Sequence, residues 1–308
     1  MKPVYLDNNA TTQVAPEVLE TMLPYFHELY GNPSSMHSFG GQVMKEVRKA
    51  REQVAALLGA SPDEIIFTSC GSESDNAAIR SALASYPDKR HIVTSRVEHP
   101  AVRALCAHLA TQGYRVTELP VDGEGRLDME QYRRALGPDT AIVSLMWANN
   151  ETGVLFPVDR IAEICRSRGV LYHCDAVQAA GKVEIDVQRV PADYLSLTSH
   201  KFHAPKGIGA LYVRRKSPFS PLVYGGHQER NRRGGTESVP VIVAMRKAGE
   251  LSPKHWTDYE TKLQPLWDDL EEPCTEPFFE TEMLAVVLLT RMMQTMCTGE
   301  YRSDIPVS

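Results

Sequence analysis

Short apolar runs alternate with amphipathic stretches along most of the chain. From Val43 to Leu58, apolar residues recur at helical spacing among Lys, Arg and Glu, and Gly59 follows as a helix stop. The run Glu64–Thr68 then predicts a buried strand, and Glu73–Leu83 is compatible with a helix. The pattern therefore predicts a strand, a turn of small residues and a helix in succession.

The same order repeats over the next hundred residues. The predicted strands are His91–Thr94, Arg115–Leu119, Thr140–Met146 and Leu171–Cys174, and the predicted helices between them are Val102–Gln112, Asp128–Leu136 and Ile161–Ser167. Strands separated by helices indicate an α/β protein with a mostly parallel central sheet and helices on both faces. Two further apolar runs, Tyr194–Leu197 and Gly209–Val213, extend the sheet and can include an antiparallel member.

Composition agrees with a globular protein of one large or two modest domains. Of the 308 residues, 43% are apolar and 23% charged, so the chain can bury a substantial core. The formal net charge of -6 gives no electrostatic reason to expect nucleic acid or an anionic membrane as a partner. The first residues lack the apolar stretch of a signal peptide, and Met283–Leu289 is too short to span a bilayer. We expect a cytoplasmic protein.

The cysteines do not form a framework. None belongs to a C-x-x-C pair, so the sequence predicts neither a zinc site nor disulfides, and no metal site is expected. We expect mostly buried, reduced thiols at the six positions, which are Cys70, Cys106, Cys165, Cys174, Cys274 and Cys297.

Polar residues follow five of the predicted strands, at the point where each strand ends. In open α/β sheets, ligands bind beyond the carboxyl ends of the strands, so these side chains are expected to converge on one rim. A polar residue at a single strand end is more often a solvated turn, and it is the joint chemistry of the set that indicates a site. The five residues are Ser72, His99, Asn150, Asp175 and Lys201.

Lys201 and Asp175 carry the most specific chemistry of this set. A lysine facing an aldehyde and a carboxylate facing a heterocyclic nitrogen are the two groups that pyridoxal 5′-phosphate requires of a protein. A carboxylate at the end of an apolar strand is costly to bury without a positive partner, although a helix-capping role is the alternative for Asp175. Lys206 competes with Lys201, but it lies inside a loop before Gly207. Burial beside His200 would lower the pKa of Lys201 and favour the free amine.

The remaining groups are weaker signals when each is taken alone. Gly71 and Ser72 open a helix and suit a phosphate, but an ordinary N-cap is the commoner explanation. His99 can lie on a flat aromatic cofactor or bond the backbone of its own turn. Asn150 can place an amide on a phenolic oxygen or belong to a simple polar turn. Thr198 would lie near the cofactor phosphate, with His200.

Several motifs resemble those of the cysteine desulfurases and occur in the same order along the chain. Their residues are most similar to those of the nitrogen-fixation branch. The resemblance covers roughly Tyr5 to Ala244. It implies a homodimeric fold-type-I pyridoxal-phosphate enzyme of the class V aminotransferase family, with a large cofactor-binding domain over residues 1–250 and an altered C-terminal region over 251–308. The motifs are Tyr5–Thr12, Gly31–Ser35, Phe67–Ser69, Glu73–Asn76, Asn149–Gly153, His173 with Asp175 and Gln178, Ser199–Lys201, Gly225–Arg230 and Gly235–Glu237.

The resemblance also implies a role for each matching residue. Lys201 would be the Schiff-base lysine and, with His99 stacked on the ring, a catalytic residue, while Asp175 would hold the pyridine nitrogen. Gln178 and Asn150 would lie near the phenolic oxygen, Thr236 would reach the phosphate of the neighbouring subunit's cofactor, and Asn32 would lie at the substrate carboxylate. The phosphate would be held by Gly71, Ser72, Thr198 and His200.

The implied reaction takes sulfur from L-cysteine, releases L-alanine and leaves a persulfide for iron–sulfur cluster assembly on a scaffold protein. In the family, a cysteine in a Ser/Gly-rich loop of the small domain accepts the sulfur. The sequence past Leu270 has neither a Ser-Gly-Ser-Ala-Cys segment nor the family's late arginine, so the persulfide step is expected to be impaired. Cys274 and Cys297 lack the setting of a reactive thiolate.

Two alternatives to a cysteine desulfurase follow from that difference. One is a pyridoxal-phosphate lyase or transaminase that works without a persulfide, and sulfide or pyruvate release from L-cysteine would distinguish it. The other is a non-catalytic dimer partner that retains the cofactor pocket and would show cofactor colour without turnover.

Overall fold

A seven-stranded sheet organises the chain in the computed structural model, which describes residue 5 and residues 7–258, with side chains as far as Ser252. The strand order is β1-β7-β6-β5-β4-β2-β3. All neighbouring strands run parallel except β7, which is antiparallel to both β1 and β6. The strands are β1 Ile65–Thr68, β2 His91–Ser95, β3 Arg115–Leu119, β4 Thr140–Ser144, β5 Leu171–Asp175, β6 Tyr194–Thr198 and β7 Gly209–Val213.

Helices cover both faces of the sheet. Single 3-10 turns occur at Pro62–Glu64 and Ser199–Lys201. None of the helices in the part of the chain that is described combines the length and apolar character that crossing a bilayer demands. The helices are α1 Pro16–Met22, α2 Pro24–His27, α3 Ser38–Leu57, α4 Gly71–Ser85, α5 Pro100–Thr111, α6 Met129–Ala135, α7 Val158–Ser167, α8 Gln228–Asn231 and α9 Val239–Asp258.

The alternation of side chains along each strand divides the core into two layers. On β5, Tyr172 and Cys174 pack in the layer that contains residues of α3, α7 and α9, whereas Leu171 packs in the layer of α4 and α5. Successive side chains of a strand point to opposite faces, so His173 and Asp175 share the face of Leu171. The acid predicted to hold the cofactor nitrogen therefore lies on the α4 side of the sheet.

The structure confirms the predicted α/β fold with its mostly parallel sheet, and Gly209–Val213 supplies the antiparallel member. Helix starts differ most from the predicted bounds. Helix α3 begins at Ser38 because the His37 side chain accepts from the Gly40 N–H, and α5 begins at Pro100 because His99 caps it. Capping by histidine was not part of the predicted pattern, which relied on apolar periodicity. The C-terminal region over 251–308 stays a prediction, and α9 runs through residue 250.

Candidate active site

Lys201 and Asp175 lie on the same rim of the sheet. Asp175 ends β5, and Lys201 stands in the 3-10 turn that follows the neighbouring parallel strand β6. The Asp175 carboxylate is close enough to act on the Lys201 ammonium and raise its pKa, against the larger effect of burial, which lowers it. The net pKa of Lys201 is lower than the ordinary lysine value, as the free amine of a nucleophile requires. The competing Lys206 is exposed in the loop before Gly207.

An N-terminal segment that sequence reasoning left without a role covers Lys201. The Lys201 ammonium donates to the carbonyl of Asn9 and, at 3.0 Å, to that of Ala10. Thr12 fixes this segment, because its N–H donates to the His200 carbonyl at 2.9 Å and its hydroxyl accepts from the His203 N–H at 2.7 Å. The acceptors are backbone carbonyls, so no side-chain type in the sequence could have indicated them.

Asp175 is a buried acid that lacks a bonded cation. Its side chain belongs to a residue only 6% exposed, and one carboxylate oxygen accepts the Val177 N–H at 2.9 Å. Burial raises the pKa of Asp175, and the nearby carboxyl of Asp75 raises it further, whereas His99 acts in the opposite direction. Within the described residues, no Lys or Arg forms an ion pair with Asp175. The backbone bond is the capping geometry of the alternative interpretation, but it leaves the buried charge uncompensated.

A polar row crosses three strands beneath Asp175. His173 shares hydrogen bonds with Ser144 at 2.8 Å through Nδ1 and with Ser196 at 2.9 Å through Nε2. On the helix side, Asp75 of α4 places Oδ1 at 3.4 Å from His173 Nε2, and this oxygen has no hydrogen-bond partner within the described residues. Burial lowers the pKa of His173 to about 4, so the ring is neutral at physiological pH.

Glu98 adds a third buried acid near this row. It accepts from Ser95 at 2.7 Å and from the Met146 N–H at 3.1 Å, and its other oxygen is unbonded within the described residues. Burial raises the pKa of Glu98 to about 8, and the carboxyls of Asp175 and Asp75 contribute to that rise. Three neighbouring buried acids cannot all ionise without a cation among them.

Replacing Asp75 by asparagine is expected to change how stability depends on pH. Burial raises the pKa of Asp75 to about 7 from its ordinary 3.8. The folded chain therefore retains a proton that the unfolded chain releases, and this stability contribution is lost as pH rises through about 7. Asp75→Asn removes that titration and should gain about 2 kcal/mol on the parent between pH 5 and pH 8.

Urea unfolding of both cofactor-free proteins at pH 5, 6.5 and 8 measures this difference. Comparing the two proteins at each pH cancels the titration of groups that do not interact with Asp75, and the remaining difference reports Asp75 together with its effect on Asp175 and Glu98. A difference in unfolding free energy that stays constant across this range would show that Asp75 is ionised in the folded state.

Residues that the sequence predicts to bind the cofactor phosphate meet at the start of α4. A side chain at Gly71 would place its Cβ 2.8 Å from Val177 and 3.7 Å from Thr198, so these residues are adjacent. The N-cap residue of α4 is Cys70, whose side chain makes no capping hydrogen bond, so the ordinary N-cap alternative for Ser72 does not describe this helix start. The first N–H groups of a helix lack helical acceptors and suit a phosphate.

Two further phosphate candidates have defined partners. The Thr198 hydroxyl donates to the Ile208 carbonyl at 2.7 Å, so its proton is already used. His200 lies 3.1 Å from the Thr11 hydroxyl through Nδ1, which leaves Nε2 for another partner. Burial, with smaller effects of Lys201 and Lys206, lowers the pKa of His200 to about 4. His200 is therefore neutral and would serve as a hydrogen-bond donor only through a ring N–H.

Of the groups predicted around the cofactor ring, His99 lies near Asp175, and Gln178 bonds to the same Asn9 carbonyl as Lys201. His99 accepts the Ala101 N–H at 3.1 Å through Nδ1, so a neutral ring carries its proton on Nε2. Gln178 donates to the Asn9 carbonyl at 3.0 Å and accepts from Lys182 at 2.7 Å. The Asn150 amide donates to Glu151. His99 therefore has the backbone bond of one alternative, and its place on the cofactor ring stays a prediction, since capping α5 leaves the ring face and Nε2 free of that bond.

Two predicted residues are not brought to this cluster by any contact within the described residues. The side-chain oxygen of Asn32 accepts the Ser34 N–H at 2.9 Å in the loop before α3. Thr236 is exposed after Gly235. The resemblance assigns these residues to the substrate and to a neighbouring subunit's cofactor, so their roles stay predictions.

Pyridoxal 5′-phosphate fits the residues that are present. In the part of the chain that is described, the buried Asp175 carboxylate has no ion-pair partner, and a protonated pyridine nitrogen would supply one; Lys201 lies on the same rim with a lowered pKa. Free N–H groups open α4 beside Thr198. A mostly parallel sheet with this lysine and acid at its carboxyl rim defines a pyridoxal-phosphate enzyme of fold type I.

The comparisons with known proteins agree with that class. The chain belongs to the class V aminotransferase family, whose profile matches residues 4–262. It is 56% identical over 272 residues to the cysteine desulfurase of Trichormus azollae and 53% identical over 272 residues to the cysteine desulfurase NifS of Azotobacter vinelandii. Each alignment covers 88% of this chain and 68% of the relative. A solved NifS-like protein superposes with a TM-score of 0.85 at 40% identity, covering 87% of this chain and 74% of that one.

Proposed function

We propose that this chain is a pyridoxal-phosphate-dependent cysteine desulfurase that converts L-cysteine to L-alanine and passes the sulfur on as a persulfide for iron–sulfur cluster assembly. The observation that supports the proposal most directly is the pair of Lys201 and Asp175 on one rim, where a buried acid has no ion-pair partner among the described residues and a lysine has a lowered pKa. Relatives at 53–56% identity carry the name of this activity.

Each residue has a defined task in this proposal. When bound, the cofactor supplies an electron sink for the bond broken at Cα of the substrate. Asp175 would keep the ring nitrogen protonated, and Lys201 would hold the aldehyde carbon before the substrate arrives. Lys201 then moves the Cα proton of L-cysteine, and the carbonyls of Asn9 and Ala10 hold the displaced amine near the substrate. His99 would cover the ring, and its Nε2 is free of the bond that caps α5.

The sulfur acceptor is not one of the buried cysteines. Burial raises the pKa of Cys106 and Cys165 to about 12, and it also raises the pKa of Cys174 well above the ordinary thiol value. Thiols of this kind are not nucleophiles at physiological pH. Cys70 is partly exposed at the start of α4, and the predictions made for Cys274 and Cys297 lie outside the described residues. An added thiol therefore belongs in any assay of this chain.

Two partners complete the proposal. Thr236 is exposed, and no hydrogen bond within the described residues joins it to Lys201 or Asp175, which supports a homodimer in which Thr236 reaches the cofactor of the neighbouring subunit. The persulfide would pass to a scaffold protein on which iron–sulfur clusters assemble.

Product analysis tests the proposal. The chain is incubated with pyridoxal 5′-phosphate, L-cysteine and dithiothreitol, and alanine, pyruvate and sulfide are quantified. Alanine and sulfide in equal amounts are expected. Pyruvate with sulfide would identify a lyase instead, and cofactor colour without any product would identify a non-catalytic dimer partner.

A further inference from the structure

An unusual backbone conformation precedes Thr236. Glu229, Arg230 and Asn231 have φ values of 46°, 58° and 63°, so three consecutive residues with side chains adopt the left-handed region. L-residues other than glycine visit this region singly and at a cost. They are three of the four residues of the segment α8, and we call them the left-handed turn. A strained segment of this length persists only where the surrounding structure fixes it.

A buried ion pair fixes the turn to α3. Arg51 donates to both carboxylate oxygens of Glu229, at 2.6 and 2.5 Å, and the side chains are 10% and 2% exposed. The Arg51 guanidinium also lies 4.7 Å from the centre of the Phe67 ring. A bidentate pair at this depth defines one geometry for the Glu229 side chain, and a right-handed backbone would point that side chain elsewhere.

The same side chains close the open edge of the sheet. Among the described strands, β1 pairs with β7 alone, so no described strand pairs with the backbone groups of its other edge. Glu229 accepts the Phe67 N–H at 2.9 Å, and the Ile65 carbonyl accepts from Arg51 at 2.9 Å and from Arg230 at 2.6 Å. The turn thus occupies the place of an eighth strand. Because β1 leads directly into Gly71, the turn is attached to the element that presents the phosphate-binding N–H groups.

The loop that contains the turn is closed at its two ends, and it is bonded to helix α4. The Gly234 N–H donates to the Val223 carbonyl at 2.9 Å, and a Cβ at Gly234 would lie 2.5 Å from the Gly225 nitrogen, so the two ends of the loop touch. Arg233 donates to both oxygens of Glu73 in the first turn of α4, at 2.9 and 3.1 Å. Thr236 lies two residues after Gly234, where the two ends of the loop touch.

We infer that Glu229 and Arg51 are positioning residues, which hold the left-handed turn so that Thr236 is presented rigidly to a cofactor phosphate. The inference rests on the proposed function, and specifically on the proposed role of Thr236. Neither residue touches substrate. Loss of the ion pair lets the turn relax and displaces Thr236, while the rim that carries Lys201 and Asp175 is unchanged. The effect must therefore be specific to the phosphate of the cofactor.

Comparing two aldehydes tests this specificity. Dissociation constants of cofactor-free protein are measured by absorbance titration for pyridoxal 5′-phosphate and for pyridoxal, which lacks the phosphate. In Glu229→Gln, the affinity for pyridoxal 5′-phosphate is expected to fall about tenfold, the effect of losing roughly one hydrogen bond to a charged group. The affinity for pyridoxal is expected to stay within about threefold of the parent, a difference well below one such bond.

Asn231 provides variants that leave the ion pair intact. Asn231→Val disfavours positive φ at an exposed position and should reproduce the phosphate-specific loss, whereas Asn231→Gly accepts this backbone freely and should behave as the parent. Val47→Ala, which removes buried methyl groups one turn earlier on α3, should lower the melting temperature without changing the ratio of the two affinities.

Three outcomes decide the question. A phosphate-specific loss in Glu229→Gln and in Asn231→Val supports the inference. Equal losses for both aldehydes, or an unchanged ratio in both variants, would overturn it and leave the proposed function standing. A parent protein that bonds neither aldehyde through Lys201 would refute the proposed function and this inference with it.

Discussion

Lys201→Ala is expected to lower alanine formation from L-cysteine by about 10³-fold or more, because one amine both bonds the cofactor and moves the Cα proton, and proton transfer alone typically contributes 10²–10⁴-fold. The absorbance of the lysine-bound cofactor should disappear as well. The fold should survive, since Lys201 is only half-buried and its two bonds go to the carbonyls of Asn9 and Ala10.

Lys206→Ala is the matched control for this prediction. Lys206 is an exposed lysine five residues further along the same loop, so its removal should leave both the absorbance and the rate of alanine formation near those of the parent. Loss of the cofactor absorbance in Lys206→Ala, with retention in Lys201→Ala, would reverse the assignment of the two lysines.

Asp175→Asn is expected to lower kcat by about 10²–10³-fold, the range found when one group that stabilises developing charge is removed. Asparagine has the size of aspartate but cannot compensate a ring cation, so the nitrogen loses its proton and the electron sink weakens. The Val177 N–H can still donate to the amide oxygen, and the loop after β5 should keep its conformation.

Asp193→Asn separates this effect from the general consequences of removing a partly buried acid. Asp193 accepts the Tyr172 N–H at 2.9 Å at the opposite end of the sheet, and burial raises its pKa as it does that of Asp175. Its replacement should affect unfolding more than kcat. An Asp175→Asn enzyme with the kcat of the parent would show that the ring nitrogen does not need this carboxylate.

The charge balance of the site explains why the Asp175→Asn substitution is expected to have a large effect on kcat. Asp75 and Glu98 lie near Asp175, and burial favours the protonated form of each acid. His173 is neutral between Ser144 and Ser196, so it cannot serve as the missing cation. A ring cation next to Asp175 would allow one of the three acids to ionise, and the other two would remain protonated. Binding of the cofactor is therefore coupled to the protonation of the three buried acids.

Sequence reasoning found the sheet because its strands are short apolar runs separated by amphipathic helices, and this pattern is local. Lys201, Asp175 and Ser72 could be placed for the same reason, since each directly follows a predicted strand. The polar row could in principle have been predicted from the sequence as well. His173 occupies the same strand face as Asp175, and Ser144 and Ser196 interrupt apolar strands, so the three polar positions in apolar runs were a signal.

Other features could not be predicted, because they depend on residues far apart in sequence. Arg51 and Glu229 are separated by 178 positions, and nothing local to either one indicates a buried ion pair. The carbonyls of Asn9 and Ala10 are backbone groups that any residue supplies. The left-handed turn contains none of the glycines that usually indicate positive φ, since tertiary contacts impose it.

Borohydride reduction followed by peptide mass spectrometry tests the central claim most directly, because it fixes the cofactor to the amine that holds it. After incubation with pyridoxal 5′-phosphate and reduction, the pyridoxyl group should be found on the peptide containing Lys201 and should be absent from the peptides of Lys182 and Lys206. A protein labelled on Lys182 or Lys206, or not labelled at all, would contradict the account.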